Sequence, residues 1–88
     1  MKFTKHNLKK VQDLLAELGY EVRYEKGNFQ SGYCIVTHRK MAIINKYFDT
    51  EGRMNSLMDI IHSVDKEEVE LTPTAKATLK EIEKITVV

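Results

Sequence analysis

Eighty-eight residues with 42% hydrophobic and 31% charged side chains, one proline and four glycines describe a single soluble domain, 1–88, with a modest core, and exclude a disordered tail or a separate catalytic domain. Fourteen Lys and Arg against thirteen Asp and Glu leave a net charge of +1, which exerts no overall pull on nucleic acid or anionic lipid. Cys34 is the single cysteine, so neither an internal disulfide nor a cysteine-based structural zinc site can form, and a reducing interior suits it.

The opening stretch MKFTKHNLKKVQDLL lacks the unbroken apolar core and small-residue cleavage site of a signal peptide. No apolar run approaches the ~18 residues of a spanning helix, and the expectation is a cytoplasmic chain with no membrane contact. Residues 4–18 then set Leu8, Val11, Leu14, Leu15 and Leu18 at helical spacing, with Thr4 as N-cap and Gly19 as the stop. Lys5, Lys9, Lys10, Asp13 and Glu17 fall mostly off that stripe and read as a solvated face.

From Tyr20 the period changes to two. Tyr20, Val22 and Tyr24 alternate with Glu21, Arg23 and Glu25, and Gly27 with Asn28 marks a turn. SGYCIVT and MAIINKYF supply two further strands joined through His38 and Arg39. Asp49 or Thr50 can cap the next helix, whose stripe is Met54, Leu57, Met58, Ile61 and Val64, and Gly52 in its first turn weakens it. DKEEVE reads as a connection, and Thr72 before Pro73 starts a last helix with Ala75, Leu79 and Ile82 inward. The expected fold class is α+β in two layers: a helix, a three-stranded antiparallel meander, then two helices.

Turns at residues 27–28 and 38–39 would set Val22 opposite Tyr33, Val36 opposite Met41 and Cys34 opposite Ile43. One sheet face then carries Tyr20, Val22, Tyr24, Tyr33, Ile35, Ala42, Ile44 and Phe48, which is the expected core face. The other carries Glu21, Arg23, Cys34, Val36, Met41, Ile43, Asn45 and Tyr47. Around Cys34, Val36, Met41 and Ile43 this second face is too apolar for water, so something should cover it. The C-terminal helix folding back, a homodimer or partner-protein contact, or a three-residue turn that flips one strand would each resolve the conflict. The candidate interface residues are Cys34, Val36, Met41, Ile43 and Tyr47.

Catalytic readings are poorly supported by the spacing. Cys34 and His38 lie four residues apart on one strand, or roughly 13 Å, whereas a nucleophile and its base need about 3 Å. A base would have to come from His6 or His62, and a mid-strand cysteine reads as a small packed residue. Gly27 and Gly32 lack the spacing and strand-to-helix setting of a phosphate-cradling loop. Asp49 and Glu51 sit where a helix N-terminus favours negative charge, so with Asp59 they make no convincing acid pair. The expectation is a chain that is not an enzyme and has no cofactor.

In MNSLMDIIH, residues 54–62, Met58 and Asp59 stand where an HExxH zinc helix has its first histidine and its glutamate, and His62 alone cannot hold zinc. Residues 32–62, through GYCIV, AIIN, Arg53, Leu57 and His62, resemble the strands and active-site helix of zincin-type metallopeptidases. With the motif degenerate, the resemblance implies a scaffold with a small-ligand pocket, no peptidase activity and no metal. The order helix, three strands, helix also looks like that of the double-stranded-RNA-binding domain. In its phosphate-gripping places this chain has DTEGR and KGNFQSG, leaving only Arg39, Lys40 and Lys46 for weak RNA binding, and nucleic acid is not the expected partner. Finally, YEVRYEKGNFQSGYCIV followed by INKYFDTEGRMNSLMDII is similar to short bacterial proteins of about 90 residues without characterised function; this implies a shared fold and no activity. The leading expectation is a non-enzymatic domain acting through protein contact, as a homo-oligomer or with a partner protein.

Overall fold

The computed structural model describes residues 1–29, 31–36, 39–66 and 69–85, and for residues 33–36 it describes the backbone alone. Helix α1 spans Lys5–Glu17 and starts where the Thr4 hydroxyl accepts the Asn7 N–H at 3.1 Å. Its stripe, Val11, Leu14 and Leu15, is fully buried and continues into Leu18. The chain then leaves the helix through Gly19 at φ 95°, a conformation that costs an L-residue roughly 1–2 kcal/mol, so glycine is the natural stop.

Three strands follow: β1 Tyr20–Glu25, β2 Gly32–Val36 and β3 Arg39–Asn45. The antiparallel meander expected from the sequence is overturned. The sheet order is β1-β3-β2, and β1 runs parallel to β3, with Tyr20 opposite Lys40 and Glu25 opposite Asn45. Only β2 and β3 are antiparallel. Gly27 and Asn28 therefore do not close a hairpin. The described residues after β1, 26–29 and 31, lie by the C-terminal end of β3 and lead to β2 on its far side. Parallel partners need a crossover of about a dozen residues or more, and the chain between β1 and β3 is long enough, with β2 inside it.

The β2–β3 register also moves by two residues from the expected one. Val36 lies opposite Arg39 and Cys34 opposite Met41, while Val22 meets Ala42 and not Tyr33. A shift of two preserves the facing of side chains. Tyr20, Ala42 and Ile44 are buried, whereas Glu21, Arg23 and Glu25 point to water.

Helix α2, Thr50–Ser63, is capped by Asp49, whose carboxylate accepts the Gly52 N–H at 2.8 Å. A Cβ on Gly52 would stand 3.1 Å from Phe48 Cβ and 3.3 Å from that carboxylate oxygen, so the glycine lets the capping loop lie close against the first turn. Helix α3, Pro73–Lys84, starts at Thr72. The Glu17 carboxylate accepts both the Thr72 N–H at 3.0 Å and its hydroxyl at 2.9 Å, which ties the end of α1 to the start of α3. Helices α1 and α2 pack against the sheet and each other, and α3 packs on α1. One core results, in which Leu14, Leu15, Ile44, Met54, Leu57, Ile61 and Ile82 are sealed from water.

Candidate functional site

The sheet face turned away from the core carries two apolar side chains of β3 that stand outside the core cluster. Met41 and Ile43 alternate with the buried Ala42 and Ile44, are only half-buried, and are not part of the core cluster. Among the described residues no helix packs on this side, because α1, α2 and α3 all contribute to the single core on the other. The C-terminal helix that could have folded back over the face lies on α1 instead. Charges border the apolar row. Arg39 donates to the Glu21 carboxylate at 2.7 Å across the sheet, and Arg23 pairs with Glu25 at 3.2 Å along β1.

The candidate interface residues do not all fall in that row. Met41 and Ile43 do, and the backbones of Cys34 and Val36 pair with Met41 and Arg39. The side chains of Cys34 and Val36 lie outside the described part of the structure, as does His38, the base once considered for Cys34. Tyr47 lies past the end of β3, in the turn leading to α2, and is 69% exposed. Asn45, expected on the outer face beside Ile43, is 5% exposed. It is the most heavily bonded polar side chain at this end of the sheet.

Asn45 accounts for the crossover. Its amide donates to the Gly27 and Phe29 carbonyls at 2.9 and 2.8 Å, and its side-chain oxygen accepts the Tyr47 N–H at 3.0 Å. Its own N–H reaches the Ser31 hydroxyl at 2.9 Å. Two carbonyls of the loop beside β3 thus find a partner in one side chain, as backbone acceptors held away from water require. Arg53 performs a similar service for the next loop. It donates to the Phe48 and Lys46 carbonyls at 2.9 and 2.8 Å, and its guanidinium lies 5.1 Å from the Tyr24 ring centre. Burial pushes the Tyr24 phenol above its ordinary pKa, with Arg53 pulling the other way, and the neutral phenol donates to the Gln12 amide oxygen at 2.6 Å. Neither the Asn45 nor the Arg53 role was evident from residue spacing. A polar residue directly after an unbroken MAII run was the available signal.

The residues of the zinc-helix comparison lie along α2. Met58 is a core residue at 7% exposure, while Asp59 and His62 are exposed. Among the described residues no three His, Cys, Asp or Glu side chains converge as metal ligands, and no helix is long and apolar enough to cross a membrane.

A cleft of about 460 Å³ opens between α2 and the start of β2. Ser31, Gly32 and Phe48 form one wall. The other is a single helix face, with Ser56, Asp59, Ile60 and Ser63 at i, i+3, i+4 and i+7 spacing. Sequence reading missed this stripe because it sought apolar periodicity, whereas the serines repeat at the same helical period. Comparison of the chain with family descriptions, curated proteins and solved structures gives no match to any of them.

Proposed function

We propose that this chain is a non-enzymatic interaction domain that pairs with a second copy of itself through the outer face of its sheet. A reducing compartment such as the cytoplasm suits its single cysteine. The observation that supports this reading is the half-buried Met41 and Ile43 pair, outside the core cluster and on a face against which none of the described helices packs. A second copy suits the border charges. Arg23 and Arg39 are matched by Glu21 and Glu25, so a two-fold arrangement can set acid against base without a net like-charge encounter.

The size of the surface sets the strength. Three strands about 4.8 Å apart and roughly six residues long present a face of roughly 300 Å², below the ~800 Å² per partner of standard interfaces. The pairing is therefore concentration-dependent, and exposed Tyr47 at the strand end extends it. The test is Ile43→Asp, which places a charge in the centre of the row. The expected result is loss of self-association with unfolding little changed, because Ile43 lies outside the core cluster. An unchanged oligomeric state, accompanied by lost stability, would instead mean that the face is covered within one chain.

A further inference from the structure

The strand order leaves β1 at one end of the sheet, paired on one side only, with β3. Along a strand each residue turns its N–H and its C=O to the same side, and successive residues alternate between the two sides. The Glu25 carbonyl accepts the Lys46 N–H at 2.8 Å, which fixes the phase. Glu21, Arg23 and Glu25 address β3, while Val22 and Tyr24 turn their backbone groups outward. Among the described residues no segment bonds to those outward groups. The edge lacks proline and bulges, two of the devices that blunt such strands, since its register with β3 runs one-to-one from Tyr20 to Glu25. On the outer face its charges alternate in sign. The ion pairs of Glu21 with Arg39 and of Arg23 with Glu25 leave the β1 side chains about half exposed, so they can still select what lies beside them.

We propose that this edge takes an extended segment of another protein as a fourth strand, antiparallel to β1, with basic residues opposite Glu21 and Glu25 and an acidic residue opposite Arg23. Opposite charges facing each other across strands are favourable and like charges unfavourable, so the segment is read by the order of its charges. The residues between them, opposite Val22 and Tyr24, exchange both backbone hydrogen bonds of each pair, which supply the affinity in strand addition. Their side chains fall on the helix side, beside α1, and are apolar. A second copy of this chain does not fit the edge. Neighbouring strands lie about 4.8 Å apart and a helix is about 10 Å across, so the copy's own α1, packed on its β1, would run into this one.

Titration of the full chain with the acetylated and amidated peptide Thr-Lys-Val-Glu-Val-Lys-Thr, followed by amide NMR at a protein concentration where the mass is that of one chain, tests the assignment. The expected result is saturable shifts centred on the Val22 and Tyr24 amides, both of which exchange about tenfold more slowly with peptide bound. The charge-reversed peptide Thr-Glu-Val-Lys-Val-Glu-Thr keeps the apolar side chains and should bind about tenfold more weakly. Methylating both valine nitrogens removes the hydrogens that the Val22 and Tyr24 carbonyls accept, and should abolish binding. Arg23→Glu protein should bind the first peptide about fivefold more weakly and Thr-Lys-Val-Lys-Val-Lys-Thr about fivefold more tightly than the parent does. Absent or non-saturating shifts, equal binding of the charge-reversed or methylated peptide, or indifference to Arg23→Glu would overturn the assignment. Protection of Val22 and Tyr24 that grows with protein concentration in the absence of peptide would place a second copy at the edge and overturn the choice of occupant.

Discussion

Asn45 stands at the point where a local rule gives way to a tertiary one. By strand alternation it belongs on the outer face with Met41 and Ile43, yet it is buried and holds the Gly27 and Phe29 carbonyls. Asn45→Ala withdraws three side-chain hydrogen bonds and leaves the Gly27 and Phe29 carbonyls and the Tyr47 N–H to find other partners, a loss of about 3 kcal/mol. Urea unfolding should register that loss, with Ser31→Ala costing about a third as much, since Ser31 makes one bond to the same residue. Tyr24 offers a second test at this scale. Its raised pKa means that the folded state favours the neutral phenol, so its contribution to stability is intact below the unfolded value near 10 and declines as pH rises through the folded value. Ultraviolet titration, compared between the parent and the Tyr24→Phe protein, should show that the phenolate lost in the variant is one that appears later than in the unfolded chain.

At the level of elements, the helices were legible because their caps and stripes are local: Thr4, Asp49 and Thr72 all accept the N–H three residues on. Side-chain facing in β1, and in β3 as far as Ile44, was legible for the same reason. Strand order was not, because GYCIV and MAII are both apolar enough to be central, and the Gly27–Asn28 pair reads as a hairpin turn when taken alone. The deciding contacts, from Asn45 to Gly27 and Phe29, span 18 and 16 residues and leave no periodic trace. The serine stripe of α2 was visible in principle, and it mattered only once β2 was placed beside it. Hydrogen exchange distinguishes the two sheet orders. With β3 between β1 and β2, its amides should be protected in unbroken succession, while alternate amides of β1 and β2 exchange quickly as edge-strand groups do. A meander would give the unbroken protection to β2.

For the whole molecule, layering is the property that bears on function. Three helices share one core on one side of a three-stranded sheet, leaving Met41 and Ile43 half-buried on the other, with Glu21 and Glu25 matching Arg23 and Arg39 around them. Small domains rarely leave such a row to water, and a second copy of the chain meets it without charge conflict. Sedimentation equilibrium of the unmodified protein between about 1 μM and 1 mM, the range suited to a weak interface, addresses the self-association directly. The average mass should rise with concentration from the 10.2 kDa of one chain toward twice that value. A mass fixed at that of one chain across the whole range would contradict it.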